Sequence, residues 1–274
     1  MKKLRFGAVA TAVATAALSV VIAPAASAAQ PEIRSSADGV QVTGDWDGDG
    51  IDTAGWFDFE TGTWSLRNTN SSGGADVQFT YGGPWEGGYP IVGDWDGDGD
   101  DTIGLVRGGN WLLRNSNSTG TANLDFLYGN ADFEEGHKVA GDWDGDGDDT
   151  PGLRRGNNWL LRNSNSSGVA SLDFTYGDPF DGFTVAGDWD GDGDDTIGVV
   201  RINDWQLRNS NSTGFADVEF LYGNGFPSHW PLPGDWDGND SDTAGVVEER
   251  PSPFTWFFRN ENSTGPGTIV FDFE

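Results

Sequence analysis

An all-β protein built as a five-bladed β-propeller of four-stranded antiparallel blades is what the sequence predicts, and three observations predict it. One decapeptide returns five times, as GDWDGDGIDT from Gly44, GDWDGDGDDT from Gly93, Gly141 and Gly187, and GDWDGNDSDT from Gly234. The copies stand 46 to 49 residues apart, the length of one supersecondary unit. Between them, short aromatic and β-branched runs alternate with connectors rich in Gly, Asn, Ser and Thr, and no helical period intervenes.

The chain opens with Lys2, Lys3 and Arg5, an apolar stretch from Phe6 to Ile22, and Ala26-Ser27-Ala28, the pattern of a secretory signal peptide cleaved after Ala28. Pro24 interrupts the apolar run, so a membrane span is not expected there. Residues 29–39 read as a disordered leader, and residues 40–274 as the repeat domain. A secreted product is the expectation, periplasmic if the source has an outer membrane. The chain has no cysteine, so packing and metal, not disulfides, are expected to hold it.

Each repeat then divides into four strands. An apolar pair leads into the acidic motif (Ile91-Val92, Val139-Ala140, Val185-Ala186), and TIGLVR, TPGLRR or TIGVVR follows it. The third run is WLLRN or WQLRN, and the fourth alternates with period two, as in Leu124, Phe126 and Tyr128. A first strand near Val40–Thr43 and a last one at Thr268–Glu274 leave no blade shared between the termini. An open array of five repeats is therefore the alternative architecture.

Net charge is −29, or −32 once Lys2, Lys3 and Arg5 are removed, which excludes nucleic acid and anionic membrane as natural partners. The five decapeptides hold 23 of the 44 acidic residues. Such clustering needs counter-cations. Counted from the first Asp, side-chain oxygens fall at positions 1, 3 and 5: Asp45, Asp47, Asp49; Asp94, Asp96, Asp98; Asp142, Asp144, Asp146; Asp188, Asp190, Asp192; and Asp235, Asp237, Asn239. A glycine at position 6 permits a sharp turn, and position 7 (Ile51, Asp100, Asp148, Asp194, Ser241) offers a carbonyl. This is the front half of a Ca²⁺ loop, but position 12 is Trp56, Leu105, Leu153 or Val199 where an EF-hand needs a bidentate Glu.

On these motifs the repeat region resembles the FG-GAP or VCBS family, the integrin-α-like propeller repeats. The resemblance implies Ca²⁺ held by DxDGDGxxD loops between the first and second strands of each blade, with a closing carboxylate at position 9. Here position 9 is Thr53, Thr102, Thr150, Thr196 or Thr243, and the Asp stands one earlier, at Asp52, Asp101, Asp149, Asp195 and Asp242. Either that Asp bends back to the ion or it faces away to pair with a basic side chain. Up to five Ca²⁺ are expected. The fifth loop, with Asn239 at position 5 and Asp240 in place of the turn glycine, is expected to bind weakest.

The recurrent Trp-x-Leu-Arg-Asn places Trp64, Trp111, Trp159, Trp205 and Trp256 on a face that packs against neighbouring blades. Its arginines, from Arg67 to Arg259, then need carboxylates, for which the position-8 Asp is the candidate. The segments joining one blade to the next vary from copy to copy. Their Trp85, Tyr89, Phe133, Phe180, Phe183, Phe226 and Trp230 form a candidate stacking platform for sugar or peptide on the face opposite the acidic loops. The expected function is a Ca²⁺-stabilised, non-catalytic binding module for extracellular carbohydrate or protein. A polysaccharide hydrolase or lyase, and a purely structural repeat protein, are the alternatives. Two histidines and no cysteine leave little for nucleophilic catalysis.

Overall fold

In the computed structural model, residues 39–83, 88–130, 138–179, 182–225, 228–248 and 253–273 are described. The first 28 residues lie outside them. Blade 1 is β1 (Gly39–Gly44), β2 (Thr53–Asp58), β3 (Thr63–Leu66) and β4 (Val77–Thr80), and blade 2 is β5 (Tyr89–Gly93), β6 (Thr102–Arg107), β7 (Asn110–Leu113) and β8 (Leu124–Leu127). Blade 3 is β9 (Lys138–Gly141), β10 (Thr150–Arg155), β11 (Asn158–Leu161) and β12 (Leu172–Thr175). Blade 4 is β13 (Phe183–Gly187), β14 (Thr196–Arg201), β15 (Asp204–Leu207) and β16 (Val218–Leu221), and blade 5 is β17 (His229–Gly234), β18 (Thr243–Glu248), β19 (Phe254–Phe258) and β20 (Ile269–Phe273). Gly39, assigned to the leader from sequence, is in fact the first residue of β1, where it pairs with Asp58.

Each blade is an antiparallel meander whose strands neighbour one another in chain order. The first strands β1, β5, β9, β13 and β17 contact one another in sequence, and β1 also contacts β17. The fold is thus a closed five-bladed propeller, and the open array is overturned. Closure rests on polar contacts as well as packing. Thr43 donates to the Pro233 carbonyl at 3.0 Å, the Asp272 N–H donates to the Ser72 hydroxyl at 3.0 Å, and Gly73 bridges Phe273.

The core lies between blades. Period two places Trp64 and Leu66, and their counterparts in every repeat, on the same face, where both are fully buried. Each indole N–H donates to a carbonyl at or one residue past the end of the fourth strand: Trp64 to Tyr81, Trp111 to Tyr128, Trp159 to Tyr176, Trp205 to Tyr222, Trp256 to Phe273. A buried Trp therefore carries no unpaired donor at this position, and its loss would cost about 3–5 kcal/mol. The decapeptide Trp46, Trp95, Trp143, Trp189 and Trp236 are buried too. Trp236 stacks on Phe258 at 3.7 Å, and Trp56 stacks on Phe254 across the closing junction.

Successive strands of a meander reverse direction, so the β1–β2 and β3–β4 type connections share one face of the propeller. The acidic loops and the Asn/Ser loops therefore lie together, and the connections between blades lie on the other face.

Candidate metal centre

Each acidic loop is folded by its own first carboxylate. Asp45 Oδ1 accepts the N–H of Gly48 and of Asp49, and Oδ2 accepts that of Gly50 at 2.7 Å. Asp94, Asp142 and Asp188 make the same turns. The turn requires a left-handed residue at position 6, and Gly50, Gly99, Gly147 and Gly193 supply φ between 82° and 97°. In the fifth loop Asp240 adopts φ 63° at that place, a conformation costly for a residue with a Cβ.

In four loops the turn gathers three carboxylates with oxygens within 4.8 Å of one another: Asp45/Asp47/Asp49, Asp94/Asp96/Asp98, Asp142/Asp144/Asp146 and Asp188/Asp190/Asp192. In the fifth, Asp235 makes the turn, accepting from Gly238 and Asp240, but Asn239 replaces one acid. At position 7, burial first, then a hydrogen bond shared with Asp98, Asp146 or Asp192, raises Asp100, Asp148 and Asp194 to about 6. Acids that crowd enough to share a proton are acids that a cation would relieve. Ile51 and Ser241 hold the equivalent place in loops one and five and add no carboxylate there.

The asparagines that follow the WxLR runs complete the surroundings, although in the sequence they read as turn composition. The first of each pair donates to the position-3 acid: Asn68 to Asp47, Asn115 to Asp96, Asn163 to Asp144, Asn209 to Asp190 and Asn260 to Asp237, at 2.5–2.7 Å. The second donates to the carbonyl of position 8: Asn70 to Asp52, Asn117 to Asp101, Asn165 to Asp149, Asn211 to Asp195 and Asn262 to Asp242. The signal was visible in the repeated N-x-N of NTN, NSN and NEN. Nine of these amide oxygens are buried without a protein partner.

That donor set fits a hard cation: oxygens only, several anionic, with orphaned amide oxygens alongside that an ion or its water ligands would satisfy. Positions 1, 3 and 5 are the residues that would hold it, and the ion would supply charge neutralisation.

The position-8 acids do neither of the two things expected of them. Asp101 Oδ2 accepts the N–H of Asp45 in the preceding blade at 2.9 Å, and its own N–H donates to the Asp45 carbonyl at 2.6 Å. The same reciprocal pair joins Asp149 to Asp94, Asp195 to Asp142, Asp242 to Asp188 and, closing the circle, Asp52 to Asp235. Gly44, Gly93, Gly141, Gly187 and Gly234 are required beside them, because a Cβ there would stand 2.4–2.8 Å from the incoming carboxylate oxygen. The five acids form a ring. Burial raises all five above the ordinary carboxylate range, Asp195 to about 7, and ring neighbours raise four further: Asp242 acts on Asp52, Asp52 on Asp101, Asp195 and Asp101 on Asp149, and Asp195 on Asp242.

The arginines therefore pair elsewhere. Arg67 lies 3.3 Å from Asp76 and bonds Ser71, and Arg208 pairs with Asp217. Arg114 and Arg162 bond serine hydroxyls and loop carbonyls instead. Arg259 pairs with Glu261 and bonds the Pro266 carbonyl. Each arginine thus braces the Asn/Ser loop of its own blade, whose glycine packs on the guanidinium.

Of the predicted aromatic platform, Trp85, Phe133, Phe180 and Phe226 lie outside the described residues. Tyr89 and Phe183 are half-buried, whereas Trp230 is a core residue, packed edge-on against Phe183 at 5.4 Å. It is not a free stacking surface, because both neighbouring blades enclose it.

Fold and loops together define the class: a closed five-bladed propeller carrying acidic, cation-type loops on one face. No family model and no curated protein matches this chain. Among solved structures it is similar to a lectin from Agrocybe aegerita, described by its specific recognition of non-reducing terminal N-acetylglucosamine, at 17% identity and TM-score 0.45, over 84% of this chain and 65% of that one. It is also similar to the Tc holotoxin pore of Photorhabdus luminescens, at 15% identity and TM-score 0.42, over 86% of this chain and 12% of that one. The chain thus spans less than two thirds of either.

Proposed function

We propose that this chain is a secreted, Ca²⁺-stabilised propeller of the FG-GAP/VCBS type that works as a non-catalytic binding module for carbohydrate at a cell surface or matrix. One observation carries the reading: the recurrent polar residues are consumed in building the scaffold, in equivalent copies. Position-1 acids fold the loops, position-3 acids take the asparagines, position-8 acids join blades, and the arginines brace loops. Catalysis needs unlike groups in unlike roles, as in the paired acid and base of a glycosidase. Equivalent blades instead suit repeated weak contacts whose linkage raises avidity.

The test is a glycan array run with and without chelator, beside turnover assays on plant and bacterial polysaccharides. Ca²⁺-dependent glycan retention without turnover is the expected result. Release of reducing ends or unsaturated products would overturn it.

A further inference from the structure

A cleft of about 430 Å³ opens between blades 1 and 2, and no carboxylate of the acidic loops lines it. Tyr81 and Gly82, from the end of blade 1, form one wall, and Leu105, Arg107, Leu112 and Asp125 of blade 2 form the other. Gly120, Thr121 and Ala122 keep the remaining side low. Its volume is within the range of small-molecule sites, and its lining has their character: an apolar body with a few convergent polar groups. Tyr81 is fixed from behind, its hydroxyl donating to the Leu112 carbonyl at 3.0 Å while the Arg114 guanidinium lies 5.6 Å from the ring centre.

We propose that this cleft is a binding site for one pyranose residue of a glycan, its hydroxyls taken by Arg107 and Asp125 and its C–H face laid on Leu112 and Ala122. The inference rests on the carbohydrate reading above and gives it a place. A guanidinium and a carboxylate suit vicinal hydroxyls, which donate to one and accept from the other. The apolar floor suits the ring's C–H face.

The strand registers repeat the set at two further junctions. Arg107 ends β6 opposite Asn110, Arg155 ends β10 opposite Asn158, and Arg201 ends β14 opposite Asp204. Asp125, Asp173 and Glu219 stand opposite Leu112, Leu160 and Gln206. At the fourth and fifth junctions the acidic place is taken by Val270 and Gln78, and the arginine by Glu248 and Asp58. The charged pair is thus present three times per chain, with Gln206 in place of the apolar Leu112 at the third. The residue at the mouth changes from Thr121 to Val169 to Phe215, the last two 84% and 93% exposed, so the three copies need not prefer the same glycan.

The probe is a panel of free pyranoses (glucose, galactose, mannose, fucose, N-acetylglucosamine) titrated into the full, Ca²⁺-loaded chain, with backbone amide shifts as the readout. A panel member should move the amides of Gly82, Arg107 and Ala122. Asp125→Ala should abolish those shifts while leaving the melting temperature within a few degrees, since Asp125 is exposed. The triple variant with Asp173→Ala and Glu219→Ala should lose binding at least tenfold. Binding that survives the triple variant, or that moves only amides of the blade connections around Tyr89 and Phe183, overturns this site and leaves the carbohydrate reading standing. A chain that binds no glycan on the array and no pyranose of the panel overturns both.

Discussion

Asp52 and Asp235, 183 residues apart, exchange two hydrogen bonds: the Asp235 N–H donates to the Asp52 carboxylate at 2.8 Å, and the Asp52 N–H donates to the Asp235 carbonyl at 2.7 Å. This pair joins the first blade to the last. The same pair elsewhere joins blades already adjacent in sequence, so the contact that closes the ring uses the chemistry of the four that build it. Its carboxylate is nonetheless partly withdrawn from solvent, and the charge of Asp242 raises its pKa further, so an acceptor is needed here while a charge is a burden.

Asp52→Ala should therefore destabilise the protein by about 1–3 kcal/mol, by leaving the Asp235 N–H unpaired. Asp52→Asn keeps an acceptor oxygen and removes the partly buried charge, and should fall within about 1 kcal/mol of the parent. Urea unfolding of the two variants checks this. Equal losses would mean that the charge, not the hydrogen bond, holds the junction.

Calcium removal should act on the loops in the proportion their geometry dictates. Calorimetric titration of the chelated protein is expected to show four sites of similar affinity and a weaker fifth, where Asn239 and the strained Asp240 interrupt the turn. At a free ion concentration about a hundredfold above Kd, each occupied site adds about 2.7 kcal/mol to stability. Chelation should therefore lower the melting temperature sharply. Replacing Asn239 by Asp together with Asp240→Gly should bring the fifth site level with the others; five equal sites in the parent chain would contradict the reading of the turn.

Period and composition made the fold legible: the decapeptide marked each first-to-second strand turn, and Trp64 two residues before Leu66 marked a face that packs. The role of Asp52 was not legible in the same way. Repetition shows that five such acids behave alike, but the partner of each lies in a neighbouring copy, and no local pattern distinguishes an ion, an arginine of the same blade or a backbone N–H of the next. The pairing of Arg67 is hidden for a related reason, because its partners Thr69, Ser71 and Asp76 sit in a loop whose composition reads only as a turn. The variable segment before Trp230 gives it the look of a surface aromatic, yet it lies in β17 and is buried.

The asparagine after each WxLR run should matter to the ion without touching the fold's core. Asn115 holds the Asp96 carboxylate in place at 2.5 Å, and outer partners of this kind typically contribute 10–100-fold to metal affinity. Asn115→Ala should weaken one calorimetric site by about tenfold and leave the other strong sites unchanged. Uniform weakening of every site would show instead that the loops titrate as one unit through their shared junctions.

Alkaline pH should loosen the blade junctions through tyrosine. Burial raises Tyr128, Tyr176 and Tyr222 to about 12, only partly offset by Arg162, Arg208 and Arg259 respectively. Tyr128 and Tyr222 donate their hydroxyls across the junction to the carbonyls of Leu160 and Phe257, bonds that a phenolate cannot make. A tyrosine pKa raised above its unfolded value of about 10 means that the folded chain binds the proton more tightly. The associated stability is complete below pH ~10 and falls as pH climbs towards ~12. Phenolate absorbance should accordingly appear in two phases, with the later one coinciding with loss of the near-ultraviolet circular dichroism of the buried tryptophans. Tyr128→Phe should remove one phenol from the late phase at a stability cost of about 1 kcal/mol. Early titration of all tyrosines, with the fold intact, would mean that these hydroxyls are not locked between blades.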